Sequence, residues 1–189
     1  MGKSVICFAD EMRLGLHSQI RRRWFPRGER LIQPQRMVFE WCWLYLAVDV
    51  RQGRLFWCWQ ERLRSDCVLA SVSEWKQAGI DALVWDNAPS HRSKVVRESE
   101  MSLGYLPPFS PELNPAERVF EEVRRWVEGV LYDSVSAKRA AVERYLGDLS
   151  SDPVRVKRLT GWHWIRESLE ALPNPQSRSG RVGHNEQVA

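Results

Sequence analysis

Residues 37–50, MVFEWCWLYLAVDV, constrain this chain more than any other stretch. Side chains of an extended strand alternate between faces. Trp41, Trp43, Tyr45 and Ala47 therefore share one face, and Cys42, Leu44, Leu46 and Val48 share the other. Both faces are apolar, so the strand belongs in the centre of a sheet with a layer packed on each side. Asp49 to Arg54, with Gly53, predicts a hairpin turn, and Leu55–Trp59 returns antiparallel.

The rest of the chain supplies those layers. Ser4–Ala9 predicts a first strand ending at Asp10, with a second short strand beginning near Arg13. Ser65–Ala78 predicts a helix stopped by Gly79, and Ile80–Trp85 an apolar strand that ends at Asp86. A polar segment, Ser90–Ser99, suits a short helix, and Leu103–Leu106 a short strand closed by Pro107 and Pro108. A helix opens at Asn114-Pro115 and runs to about Val127 (its length read from the helical period). Ser136–Leu149 and the stretch from Trp162 to Leu172 read as further helices. Strands first and helix–strand alternation afterwards predict a mixed sheet with helices on its faces. The helix before Ile80 permits a crossover that sets the Asp86 strand parallel to the first strand. Both carboxyl ends then meet at one edge, where open α/β sheets bind ligands.

A length of 189 residues, 43% hydrophobic and 28% charged, suits one domain with a sizeable core, with or without a tail. Cys7, Cys42, Cys58 and Cys67 form no CxxC pair, and three of them lie in apolar runs. Free thiols in a reducing compartment follow, rather than disulfides or zinc. No apolar run reaches spanning length and no signal-peptide pattern opens the chain, so a cytosolic protein without a membrane partner is expected. The net charge of +4 leans toward a polyanionic partner.

Three acids stand at the ends of apolar elements: Asp10, Asp86 and Glu117. Converging carboxylates suit hard divalent cations, which take oxygen ligands and keep positions open for phosphate and water. Each also has a plain structural role. Asp10 can cap a turn with Glu11, and Asp86 can start a turn in Asp-Asn-Ala-Pro. Asn114, Pro115 and Glu117 satisfy a capping box. Helix phase separates the two roles of Glu117. Val119, Phe120, Val123, Trp126, Val127 and Val130 share one stripe, and Glu117 lies about 60° from Phe120, at its edge. His91 can be a ligand, a phosphate contact or a packing residue. The arginines between Arg21 and Arg30 either neutralise phosphates or solvate a loop anchored by Trp24.

FADEMRLGL, the RRRWFPRG segment, VWDNAPSHRSK and LPPFSPELNPAERVFEEVRRW together resemble the catalytic domain of insertion-sequence transposases, the bacterial relatives of the mariner elements. That family belongs to the DDE superfamily of endonucleases. The resemblance spans roughly Ser4 to Val130, and the proline-rich loop followed by Leu-Asn-Pro-x-Glu is its most specific part. It implies an α/β, ribonuclease H-like (retroviral-integrase-like) mixed sheet, placed over residues 1–150; the residues beyond predict a helical extension over 151–172 and, where the chain turns polar with no apolar period, a disordered tail over 173–189. Carried over residue by residue, it implies Asp10, Asp86 and Glu117 as catalytic acids and metal ligands. It also implies that Asn87, His91, Asn114 and Pro115 shape the site; in an active transposase Arg21, Arg22, Arg23, Arg27, Arg124 and Arg125 would contact DNA phosphates.

The implied activity is metal-dependent DNA strand cleavage and strand transfer at transposon ends, using two Mg²⁺ or Mn²⁺ ions. Its partners are double-stranded DNA, comprising terminal inverted repeats and target, and a homo-oligomer assembled on that DNA. The implied location is a bacterial cytoplasm, associated with the nucleoid. Two departures stand out: the interval from Asp86 to Glu117 is shorter than usual, and the chain opens directly on the catalytic strand. A separately encoded N-terminal helix-turn-helix part would restore the usual plan. The alternative is a truncated, non-catalytic remnant that binds DNA or another subunit.

Overall fold

The computed structural model describes residues 4–19, 24, 26–30 and 32–171. Arg21, Arg22, Arg23 and the stretch 172–189 lie outside the described residues. Five strands make one sheet: β1 (Ile6–Gly15), β2 (Trp41–Asp49), β3 (Arg54–Gln60), β4 (Ala82–Trp85) and β5 (Ser102–Tyr105). Their spatial order is β3-β2-β1-β4-β5. The first three strands pair antiparallel, whereas β4 runs parallel to β1 and β5 parallel to β4. Six α-helices and a short 3-10 turn at Pro111–Leu113 complete the described residues, the α-helices being α1 (Ser65–Gln77), α2 (Lys94–Arg97), α3 (Pro115–Val127), α4 (Val135–Ser150), α5 (Pro153–Thr160) and α6 (His163–Ala171). None of the described helices is long and apolar enough to cross a membrane.

The double-faced strand behaves as its pattern demands. Leu44, Leu46 and Val48 of β2 join one core with Val119, Phe120, Val123, Leu146, Val156 and Ile165. Tyr45 and Ala47 join the opposite core with Val68, Val72, Trp75 and Trp85. Helices α3 to α6 thus cover one face of the sheet and α1 and α2 the other. The four cysteines are free, with Cys7 and Cys58 buried and Cys42 and Cys67 partly so.

Three expectations change. The first strand is not two pieces meeting at Asp10: β1 is one run of ten residues, and Asp10 and Glu11 sit inside it. The continuous antiparallel ladder from Phe8↔Val48 to Gly15↔Trp41 holds it straight through both acids. Second, Trp126 and Val130 fall out of the buried stripe, at 57% and 53% exposed, and Val130 lies beyond the end of α3 at Val127. Trp126 instead lies 5.6 Å from the ring of Tyr145 on α4. Third, the helical extension expected over 151–172 opens with a helix of its own, α5, ahead of the one expected from Trp162, and its start follows ordinary capping rules. Asp152 accepts from the N–H of Arg155, and Pro153 occupies the first helical position.

The turn between β2 and β3 shows why the later helices belong to the same body. Gly53 has φ +70°, and a side-chain carbon there would run into the backbone carbonyl of Pro153. Only glycine allows both the left-handed turn and this close approach of α5.

Candidate active site

Parallel pairing brings the first two acids together. Phe8 is registered with Val84, and carrying that register two residues further sets Asp10 beside Asp86. Strand β4 ends at Trp85, so the flank of β1 at Asp10 is left open to other groups. After β4 the chain turns on Asp86 itself, whose Oδ1 accepts from the N–H of Ala88 at 2.9 Å. Asn87 donates from Nδ2 to the carbonyl of Leu106 at 2.6 Å, tying the end of β4 to the loop that leaves β5.

The third acid arrives through α3, and Asn114 is the joint. Its Oδ1 caps the helix by accepting from the N–H of Ala116 at 3.1 Å. Its Nδ2 donates to the carbonyl of Ala9 at 3.0 Å and to Oδ2 of Asp10 at 3.2 Å. Asn114 is buried, and Pro115 and Ala116 are buried behind it. The capping box does not form. The N–H of Asn114 already donates to the carbonyl of Pro111, which frees the Glu117 carboxylate for other work. Glu117 is half-exposed, and its Oε2 accepts from Arg124 at 3.5 Å.

Asp10, Asp86 and Glu117 line a single cavity of about 350 Å³, with Asn87, Asn114 and the loop Leu106–Pro111 completing its wall. On its rim stands Phe109, fully exposed and held at φ +56°. Burial pushes the Asp10 carboxyl up to about 8, with the charges of Glu11, Glu117 and Asp86 adding to it and the N–H of Glu11 opposing. Crowded negative charge of this kind is relieved by a proton or by a cation. The donors around the cavity are carboxylate and amide oxygens, the set that hard divalent cations prefer. Among the described residues no three His, Cys, Asp or Glu side chains are arranged to hold one ion by themselves.

His91 is buried, but it lies behind the cavity rather than in its wall. Its ring stacks on Trp85 at 4.3 Å with the planes 3° apart. Nδ1 lies 2.7 Å from Oδ1 of Asp86, and Nε2 lies 3.0 and 2.9 Å from the two oxygens of Glu11. Burial pulls the His91 pKa down, but the hydrogen bond and charge of Glu11, then those of Asp86, outweigh it and the net shift is upward. Ionised carboxylates only accept, so a ring facing one on each side carries a proton on both nitrogens. Glu11 was read from sequence only as a turn neighbour of Asp10. The missed signal is the alternation of β1: Cys7, Ala9 and Glu11 share the buried face, and a lone acid there needs a cationic partner.

The arginines divide. Arg124 stands beside Glu117 near the cavity. Arg125 is engaged on its own helix with Glu121 and Glu122, each at 2.5 Å. Arg27 occupies an exposed turn in the segment between β1 and β2.

The sequence profile of the DDE superfamily endonucleases matches residues 5–137. No curated protein sequence matches the chain. Among solved structures, the mariner Mos1 paired-end complex with Mg superposes with a TM-score of 0.66 at 18% identity, covering 87% of this chain and 53% of that one. The catalytic domain of Mos1 mariner transposase gives 0.56 at 16% identity, covering 88% and 79%. A simian T-cell lymphotropic virus intasome gives 0.53 at 12% identity, covering 74% and 47%. The chain therefore spans about half the length of the full Mos1 proteins it resembles and shares the ribonuclease H-like fold of transposase and integrase cores. A profile match over 133 of 189 residues, on a sheet that gathers the acids of its motifs at one cavity, shows that this chain belongs to the DDE superfamily of endonucleases.

Proposed function

We propose that this chain is the catalytic domain of a transposase, cutting DNA at transposon ends and joining the freed strand to a target. The observation that carries this reading is the shared cavity of Asp10, Asp86 and Glu117, three acids from separate elements closing on one open space. Asp10 and Asp86 would hold one Mg²⁺ or Mn²⁺, and Glu117 with Asp10 a second. Such ions would polarise the scissile phosphate and lower the pKa of the attacking water or 3′-hydroxyl.

The chain's own residues do the positioning. Asn114 holds an oxygen of Asp10 and the first turn of α3 together, so the first and third acids move as a unit. Asn87 pins the second acid's turn to the Leu106 end of the cavity wall. Phosphoryl transfer asks the protein mainly for such positioning and for charge neutralisation, and none of these acids needs to act as a covalent nucleophile. Arg124 and Arg27, with Arg21, Arg22 and Arg23, supply positive charge for phosphates, which fixes position without reading sequence. Arg125 first has to leave Glu121 and Glu122. Double-stranded DNA is the substrate class, terminal inverted repeats and target alike, with a homo-oligomer assembled on it. A helix-turn-helix part would read the end sequence.

The test is cleavage of end-sequence DNA with Mg²⁺ or Mn²⁺ by the full chain, supplemented with any upstream helix-turn-helix product. Asp86→Asn is expected to lower the rate by on the order of 10³-fold, the worth of several kcal/mol of charge stabilisation. Cleavage that survives this substitution at the original rate rules the assignment out.

A further inference from the structure

Behind the cavity lies a chain of groups that binding of metal or DNA does not itself require. Glu11 is 4% exposed, His91 1% and Asp86 56%, so the row runs from the core of the α1–α2 face out to the open site. Neither Glu11 nor His91 lines the cavity. The imidazole is held on one face and at Nε2, and its backbone is tied as well. Trp85 stacks flat on it, both oxygens of Glu11 meet Nε2, and the backbone carbonyl of His91 accepts from the hydroxyl of Tyr105 at 3.2 Å. A ring clamped this way has one free task, which is to present Nδ1–H to Oδ1 of Asp86. That oxygen also accepts from the N–H of Ala88, so both donors fall on the same atom. Among the described residues, Oδ2 of Asp86 has no hydrogen-bond partner.

We propose that Glu11 and His91 are a positioning pair for Asp86, locking its carboxylate by one oxygen so that the other points into the cavity to meet a divalent cation. The inference rests on the metal-site reading above, and goes beyond it by giving a function to a carboxylate outside the acid trio. The pair acts through Asp86 and touches neither cation nor DNA. Without Glu11, the Nε2–H is left buried with no acceptor, a costly arrangement that the ring relieves by turning, which loosens its hold on Asp86. Partners that orient a metal-binding group are typically worth about 10- to 100-fold in metal affinity.

The experiment is a Mn²⁺ titration of the DNA-free full chain, followed by the electron paramagnetic resonance signal of the unbound ion, with circular dichroism melting in EDTA as the record of folding. Wild type, Glu11→Ala, Glu11→Gln, Asp86→Asn and the Glu11→Ala/Asp86→Asn double variant are compared. Glu11→Ala is expected to weaken Mn²⁺ binding by about 10- to 100-fold while still melting cooperatively. Glu11→Gln is expected to recover most of the affinity, because its amide oxygen still accepts from Nε2–H. The double variant is expected to bind no more weakly than Asp86→Asn alone, as required if Glu11 works only through Asp86. Should Glu11→Ala fail to fold, Glu11→Asp, which withdraws the acceptor by one methylene, takes its place. The proposal is overturned if Asp86→Asn loses affinity and the Glu11 variants do not, or if Glu11→Ala costs as much in the Asp86→Asn background as in wild type. An Asp86→Asn variant that binds Mn²⁺ like wild type overturns the metal-site reading itself, a distinct result.

Discussion

At the scale of single residues, the chemistry is set by acids in unlike surroundings. Asp10 sits inside a strand, hemmed in by burial and by Glu11, Glu117 and Asp86, and its carboxyl is raised to about 8. Between the ordinary value of 3.8 and about 8, the folded chain keeps a proton that the unfolded chain releases. Stability from this group is therefore complete at low pH, declines as pH rises through that window, and levels off above it. Asp10→Asn removes the dependence. In EDTA the variant is expected to melt higher than wild type, by a margin that widens from pH 5 to pH 8, which paired thermal melts across that range measure directly. A margin that stays constant with pH would show that Asp10 ionises as an ordinary carboxylate. Glu11 is one position along the strand and meets the opposite fate. It points into the other core and is matched by the imidazole of His91.

At the scale of elements, α3 matters most, because it brings one acid and fixes another. Val119, Phe120, Val123 and Val127 press it onto the sheet, while Asn114 sets where along β1 its first turn lands. Asn114→Ala removes a helix cap and leaves the carbonyl of Ala9 without its side-chain donor. A loss of about 1–2 kcal/mol is expected from the cap, read as a lower urea midpoint at unchanged slope. An unaltered midpoint would mean that the apolar stripe alone seats the helix. The loop before α3 differs from its helix in kind. Phe109 holds a left-handed backbone conformation that costs a residue with a side chain about 1–2 kcal/mol, and its exposed ring gains no packing in return.

At the scale of the whole molecule, one face of the sheet is closed by helices that lie after residue 150. Val156, Ile165 and Leu169 are buried in the same core as Leu46 and Phe120. Burying side chains of this size contributes about 1.5–3 kcal/mol each, and three of them rival the roughly 5–15 kcal/mol by which a domain is stable. A chain ending at Ser150 is expected to lose its cooperative melting transition, which circular dichroism would reveal. A sharp transition retained by that fragment would show that α5 and α6 are accessory.

Local terms decide what a sequence reveals unaided, and here they reach far. The alternation of 37–50 makes a central strand. Gly79 and Gly53, both at positive φ, mark a stop and a turn, and Asn114-Pro115 opens a helix that runs to Val127. Asp86 and Glu117 stand out for the same reason, each next to a turn or cap signal, whereas Asp10, expected at a strand end, lies inside β1. What the tertiary structure alone decided is who meets whom. Glu11 and His91 are 80 positions apart, and nothing in the period of either segment announces their pairing. Their meeting depends on the parallel register of β1 and β4, which follows from how the crossover through α1 packs. Periodicity reports the neighbours a residue has along its own element. Contacts across a sheet are fixed by how whole elements fit together.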